Sequence, residues 1–180
     1  IEYLIDLHSE NSVSIGDTSF FSHDFDMNKL IKLMYWYLKP KLYIEGISKY
    51  GKKYNNIYNK YKFYENNILD DIELYFDRFD FLKQSKFKNY YSVFKPYSLL
   101  NNKLDEGVNI MNFSLYPEKI QPSGSLNIID LQNKSLKIRL NEDFRTEYFD
   151  EYYPKSLNPN NYEIEFKLLL KSYNILYFSQ

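Results

Sequence analysis

The sequence of 180 residues contains no cysteine and no alanine, and it has only two histidines. Without cysteine, disulfides and thiolate metal sites are excluded. The two histidines, His8 and His23, both lie near the N-terminus. They supply at most part of the cluster of histidines and a carboxylate that a cupin-like enzyme needs at the mouth of its barrel. We therefore expect no metal site and no other cofactor.

A strong net charge and a long apolar run are also missing. The 23 Lys and Arg residues against 24 Asp and Glu give a formal net charge of −1. A general nucleic-acid-binding protein is usually clearly basic, so we expect no direct contact with nucleic acid. No apolar run approaches the roughly 20 residues of a membrane helix. Weak repulsion between copies instead favours association with other protein surfaces.

Sequence features of catalysis are missing as well. The chain has five glycines, and the closest pair outside the turns, Gly46 and Gly51, lacks the pattern of a phosphate-binding loop. No nucleophile elbow is visible. The acidic pairs at 70–71 and 150–151 lie in polar stretches typical of a solvated surface. The sequence therefore predicts a protein that is not an enzyme.

What the chain has in abundance is apolar and aromatic side chains. Hydrophobic residues make up 44%, with 20 Tyr and 14 Phe, which is enough for one packed domain. The segment from Tyr50 to Asn67 alternates aromatic residues with Lys, as a stacking platform for single strands would. A compositionally biased insertion between core strands explains it more simply. We expect an insertion at about 41–66 and a long loop at about 142–161.

Period-two alternation of apolar residues, or a short apolar run, predicts several strands. They are 30–38, 70–82, 107–117, 125–131, 135–141 and 162–179. Ile72, Leu74 and Phe76 fall on one face of the second of these. This pattern predicts an all-β fold, an antiparallel jelly-roll sandwich with long loop insertions and at most short helices.

Three finer expectations concern individual segments. Residues 107–117 carry apolar groups on both faces, which favours a central strand. Residues 125–131 and 135–141 are expected to form a β-hairpin, with Leu136, Ile138 and Leu140 pointing inward. Residues 85–94 fit either a short helix or an irregular loop.

The sequence YPEKIQPSGSLN, residues 116–127, interrupts the alternating pattern with a restricted turn. Pro117 and Pro122 fix their own backbone, and Gly124 supplies a conformation that a side chain would resist. The remaining candidates are polar groups that can bond the turn or reach a neighbouring strand or chain: Glu118, Gln121, Ser123, Ser125 and Asn127. We expect a rigid corner that joins the two sheets.

The stretch GVNIMNFSLYPEKIQPSGSLN resembles a segment of the major capsid proteins of nucleocytoplasmic large DNA viruses, in which Ser-hydrophobic-x-Pro-Glu runs into Gln-Pro-Ser-Gly and Asn. The matching residues are Ser114, Leu115, Pro117, Glu118, Gln121, Pro122, Ser123, Gly124 and Asn127. The final strand, with Tyr173, Asn174 and Leu176, is similar to the family's last strand, and weaker similarity lies at 31–36 and 90–97. The His-Pro that precedes the Trp strand and the Gly-rich tail of the family are not found.

The resemblance implies the second jelly roll of a double jelly-roll subunit, so that residues 1–180 form a single domain of a C-terminal fragment or a divergent paralogue. It implies homotrimers with pseudo-hexameric outlines that tile an icosahedral shell with neighbouring capsomers. Minor capsid proteins and an internal membrane are further implied partners, in virions assembled in the host cytoplasm. Tyr90, Tyr91, Phe94 and Tyr97 are candidate subunit contacts, and core positions fit them equally well. A scaffolding protein of the same fold and a carbohydrate-binding jelly roll stay open as alternatives.

Overall fold

The structure is a computed structural model that describes residues 2–15, 18–24, 29–40, 69–77, 79–84, 90–100, 104, 108–142 and 164–178. Within these ranges the chain forms nine strands and one short helical segment. The strands are β1 (Glu2–Ile15), β2 (Phe20–Asp24), β3 (Leu30–Pro40), β4 (Leu69–Phe76), β5 (Phe79–Gln84), β6 (Asn109–Asn112), β7 (Leu126–Asn127), β8 (Lys134–Leu140) and β9 (Ile164–Tyr177). A π-helical turn (Tyr90–Phe94) leads directly into the helix α1 (Lys95–Leu100).

The strands form two antiparallel sheets. The first has the order β1-β9-β3-β6, and β7 also pairs with β3. The second has the order β2-β8-β4-β5. The predicted fold class, an all-β antiparallel jelly-roll sandwich with at most short helices, is confirmed.

Alternating side chains of both sheets build the core between them. On β9 the buried residues are Ile164, Phe166, Leu168 and Leu170. On β4 and β8 they are the six residues that the alternation pointed inward, Ile72, Leu74, Phe76, Leu136, Ile138 and Leu140. Trp36 of β3, which is 1% exposed, is among the largest side chains in this layer. The periodicity of the sequence therefore identified the core faces correctly.

The predicted hairpin is wrong. Only Leu126 and Asn127 of its first arm form a strand, and they pair with Leu30 and Ile31 of β3. The second arm, β8, lies between β2 and β4 in the other sheet. The chain leaves the first sheet after Asn127, whose side-chain Oδ1 accepts a hydrogen bond from the Ile129 amide at 3.0 Å. Two apolar runs close in sequence look like a hairpin, but the local pattern does not show that each one finds its partner far along the chain.

The expectation of a central strand at 107–117 is also wrong. In the part of the chain that the structure describes, β6 is only four residues long and pairs with β3 alone. Met111 of β6 packs against the core, whereas Ile110, opposite Tyr35, is buried on the other face. Apolar residues on both faces therefore show that both faces are covered, but not that the strand has a neighbour on each side.

Two strands near the N-terminus were not predicted. β1 pairs with β9 over 14 residues, from Glu2 opposite Tyr177 to Ile15 opposite Ile164. Most of its side chains are exposed or half-buried because it is the outer strand of its sheet. Of the segment 85–94, residues 90–94 are helical and the rest lie outside the described residues, as do the insertion at 41–66 and most of the loop at 142–161.

Candidate assembly surface

A β-bulge at Lys32 changes the direction of this side chain within the apolar strand β3. Opposite β9, Ile31 pairs with Ser172 and Leu33 pairs with Lys171, so Lys32 is an extra residue without a cross-strand partner. Bulges of this kind re-aim a side chain. The Lys32 side chain is nevertheless completely buried, with 0% exposure.

The buried ammonium of Lys32 binds two different parts of the chain. Its Nζ donates to Asp6 Oδ1 on β1 and to the backbone carbonyl of Lys119, each at 2.9 Å. It also lies 4.7 Å from the centre of the Tyr173 ring on β9. A buried charge is costly unless it is paired and hydrogen-bonded, and this one is both.

A second lysine completes the group. Lys171 Nζ lies 3.3 Å from Asp6 Oδ2 and 3.4 Å from Glu118 Oε2. We call Lys32, Lys171, Asp6 and Glu118 the lysine cluster. Burial raises the pKa of the Asp6 carboxyl, but hydrogen bonds from both lysines and their positive charges outweigh it, so this pKa lies below its usual value.

The lysine cluster lies on the face of the first sheet that turns away from the core. Lys171 and Tyr173 alternate with the core residues of β9 and therefore point to the opposite face. Tyr35 of β3 is on this side too: burial, followed by the negative charge of Glu118, raises its pKa to about 12. Residues 113–125 connect β6 and β7 and reach this face through Glu118, Lys119 and Ser123, and we call them the covering loop.

Internal bonds hold the covering loop in one shape. The amide of Lys119 donates to the carbonyl of Tyr116 at 3.1 Å, which closes a β-turn with Pro117 at its second position, where proline is favoured. The amide of Leu115 donates to the carbonyl of Ser123 at 3.1 Å. The Ser123 side chain accepts from the Tyr116 amide at 2.9 Å.

Gly124 is the residue that allows the covering loop to return to the sheet. Its φ is +118°, and a Cβ at this position would lie 3.3 Å from the carbonyl oxygen of Phe113. Side chains rarely tolerate this backbone conformation. The expectation for Gly124 is therefore confirmed.

The expected corner between the two sheets is wrong. Both β6 and β7, at the ends of the covering loop, pair with β3 in the same sheet. The loop leaves and rejoins one edge of β3, held at its start by the Phe113 amide, which donates to the Lys32 carbonyl at 2.9 Å. Prolines and a glycine indicate a fixed turn, but they do not specify which strands it connects.

Three large apolar side chains stand among the exposed residues of the covering loop. Leu115, Tyr116 and Ile120 are 76%, 57% and 65% exposed. Beneath them Ser114 and Pro117 are buried against the sheet. The loop thus combines an inner side bound to the sheet with three apolar side chains that are more than half exposed.

The structure places the other predicted turn residues as follows. Glu118 and Ser123 reach the last strand, through Lys171 and through the Ser123 amide, which donates to the Tyr173 hydroxyl at 3.3 Å. Glu118 therefore contacts a neighbouring strand of its own chain, as one of its two expected roles required. The remaining three predicted polar or proline positions of the loop are exposed: Gln121, Pro122 and Ser125.

The three predicted residues of the final strand are divided between two environments. Tyr173 belongs to the anchored side of the covering loop. Asn174 and Leu176 lie beyond the start of β3, where β9 pairs with β1 alone among the described strands. Asn174 Oδ1 accepts from the Ile175 amide at 2.9 Å, and Leu176 is exposed.

The four predicted aromatic residues of the helical segment also lie in two environments, one in the core and three at the surface. Tyr91 packs on the core, with its ring centre 5.8 Å from that of Trp36. Burial and then the neighbouring Tyr90 raise its pKa. Tyr90, Phe94 and Tyr97 are exposed, the last two at 67% and 64%.

Sequence reasoning missed Lys32, Lys171 and Asp6. An indication was present, because Lys32 is the one charged residue inside the apolar run LIKLMYWYL. A lysine at such a place either faces water or has a buried partner, and its partners lie 26 and 87 residues away along the chain. Spacing in sequence therefore could not identify them.

The described residues contain no group of three or more His, Asp or Glu side chains placed to hold a metal ion. None of the helices among them combines the length and apolarity needed to cross a bilayer. Chemically, this face offers ion pairs beneath the covering loop and three exposed apolar side chains on it, which suits contact with another protein surface.

Comparison with known sequences gives a consistent result. A family model described as large eukaryotic DNA virus major capsid protein matches residues 2–180. A major capsid protein of Phaeocystis pouchetii virus is 35% identical over 51 residues, which cover 28% of this chain and 10% of that protein.

Comparison with solved structures shows the same fold. The chain resembles a capsid protein chain in the quasi-atomic model of the PBCV-1 virus capsid, with a TM-score of 0.72, 18% identity, and coverage of 98% of this chain and 49% of that one. It resembles the Faustovirus major capsid protein with a TM-score of 0.66 and 14% identity, covering 99% and 34% of the two chains. The present chain thus spans half or less of the length of these relatives.

Proposed function

The chain belongs to the large eukaryotic DNA virus major capsid protein family, and from this premise we propose that it is a structural subunit of a viral capsid. It functions in assembly and not in catalysis, and it is located in the virion. The carbohydrate-binding and scaffolding alternatives find no support in the comparisons, which give capsid proteins.

The observation that carries this proposal is the covering loop. Three apolar side chains, Leu115, Tyr116 and Ile120, stand exposed on a loop whose underside is fixed by ion pairs, a proline turn and a glycine of unusual backbone conformation. A contact surface that is already ordered loses little conformational entropy on binding. Each contact can then be weak, because repetition over a shell multiplies it.

The proposal extends to the level of the assembly. The chain forms the C-terminal jelly roll of a double jelly-roll subunit, in keeping with its coverage of 49% of the PBCV-1 capsid protein chain. Three such subunits form a pseudo-hexameric capsomer, and capsomers tile an icosahedral shell. Minor capsid proteins and an internal membrane are its other partners.

Within the helical segment, the proposal assigns subunit contacts to Tyr90, Phe94 and Tyr97, which are exposed. Tyr91 instead contributes to the core of its own subunit, because it packs on Trp36. Exposed aromatic side chains are enriched at protein interfaces, which supports the assignment.

Light scattering on the full chain tests the proposal. We expect a trimer, and we expect the Ile120→Ser variant to shift the population toward monomer. Ile129→Ser is the matched control, because Ile129 is 45% exposed but lies outside the covering loop. A chain that stays monomeric up to about 100 μM, far above the dissociation constants of stable complexes, would contradict a role in self-assembly. So would equal effects of the two substitutions.

A further inference from the structure

We propose that Lys32 is a positioning residue that holds the covering loop on the first sheet, through a contact that the folding of the sandwich itself does not need. The inference rests on the proposed function only where it concerns assembly. The anchoring of the loop is a property of the single chain.

The Lys32 ammonium has three interaction partners. It donates two hydrogen bonds of 2.9 Å, one to Asp6 Oδ1 and one to the Lys119 carbonyl. The remaining side of the cation lies toward the Tyr173 ring, 4.7 Å from its centre. A methionine of similar length could fill the same volume but would make none of these bonds.

The Lys119 carbonyl is the critical acceptor. It lies on the covering loop at the end of the Tyr116–Lys119 turn, so it meets Lys32 only when that turn is formed and docked. Burying an ion pair stabilises a protein no more, and often less, than apolar packing of the same volume. Lys32 therefore contributes the orientation of the loop, and the apolar core contributes the stability of the sandwich.

Through Asp6, the lysine cluster connects four segments of the chain: β1, β3, β9 and the covering loop. The two carboxylate oxygens of Asp6 bind Lys32 of β3 and Lys171 of β9, while Asp6 itself belongs to β1. Lys171 continues to Glu118 of the covering loop at 3.4 Å. The loop is thus held at two adjacent residues, Glu118 by its side chain and Lys119 by its backbone.

Trypsin cleavage after Lys119 measures the release of this loop, because a protease needs its substrate segment to leave the sheet. We expect Lys32→Met to accelerate cleavage of the 119–120 bond by about tenfold or more, as local opening becomes easier. Lys167→Met is the matched control: Lys167 pairs with Glu10 at 2.7 Å on the same face but does not contact the loop. Cleavage is followed by mass spectrometry at low protein concentration, with the melting temperature recorded in parallel.

An unchanged rate of cleavage in Lys32→Met, or an equal acceleration in Lys167→Met, would overturn the inference. If Lys32→Met does not fold, the Glu118→Gln variant provides the test. This substitution weakens only the ion pair between Glu118 and Lys171. A smaller acceleration in this variant supports the inference, and a rate equal to that of the unmodified chain rejects it. Because cleavage is measured on single chains, its result is independent of whether the protein forms trimers.

Discussion

At the scale of single residues, the roles of Lys32 and Gly124 depend on an unusual backbone conformation. Lys32 is turned into a buried cluster by a bulge, and Gly124 has a φ of +118° that lets the covering loop rejoin its sheet. The role of Gly124 was predictable, since glycine among prolines and serines is typical of such turns. The role of Lys32 was not, because a lysine inside an apolar run does not show which distant residues bind it.

We expect His23 to make the stability of the sandwich depend on pH. Its ring packs against two phenylalanines: it stacks on Phe21, with the ring centres 6.1 Å apart, and meets Phe166 of the opposite sheet edge-on at 5.8 Å. Its Nε2 atom is buried and has no hydrogen-bond partner within the described ranges. Burial lowers the pKa of His23, and the charge of Asp24 opposes this only in part.

The folded pKa of His23 therefore lies below that of the unfolded chain, about 6.5. The unfolded state takes up the proton first, so stability is complete above that value and is lost as the pH falls toward the folded pKa. We expect the urea midpoint to fall between pH 7.5 and 5.5, and to fall less in the His23→Phe variant. The exposed His8 provides the control substitution, His8→Phe. Equal losses in the unmodified chain and in His23→Phe would refute the prediction.

At the scale of elements, alternation identified the faces of strands but not their partners. The inward residues of β4 and β8 were predicted correctly, while β8 was assigned to the wrong neighbour. β1 escaped prediction because an outer strand with polar residues on both faces has little alternation. Pairing is decided by contacts between distant parts of the chain, which one sequence does not display.

The helical segment gives a prediction at this scale. Tyr91→Ala should destabilise the fold by about 1–3 kcal/mol, because it removes the packing on Trp36. Phe94→Ala should change the free energy of unfolding by no more than about 0.5 kcal/mol, as is usual for exposed positions. Urea denaturation of both variants, with the unmodified chain as reference, measures the difference. The division of this segment into a core residue and surface residues fails if Phe94→Ala costs as much as Tyr91→Ala.

At the scale of the whole molecule, the fold and the family could be predicted from the sequence, because the motif at 107–127 is long and its residues follow the family's order. The lysine cluster beneath that motif could not be predicted, because it joins β1, β3, β9 and the covering loop through side chains far apart along the chain. We expect the exposed side of that loop to be the place where one copy meets another.

The most direct measurement uses the lack of cysteine in the chain, which makes an introduced thiol unique. A benzophenone group attached to the Ile120→Cys variant would be activated by light in the assembled protein, with the Ile129→Cys variant as the control. The account predicts a cross-linked product of twice the chain mass from the first variant and little from the second. The absence of such a product, or equal yields from both positions, would contradict it.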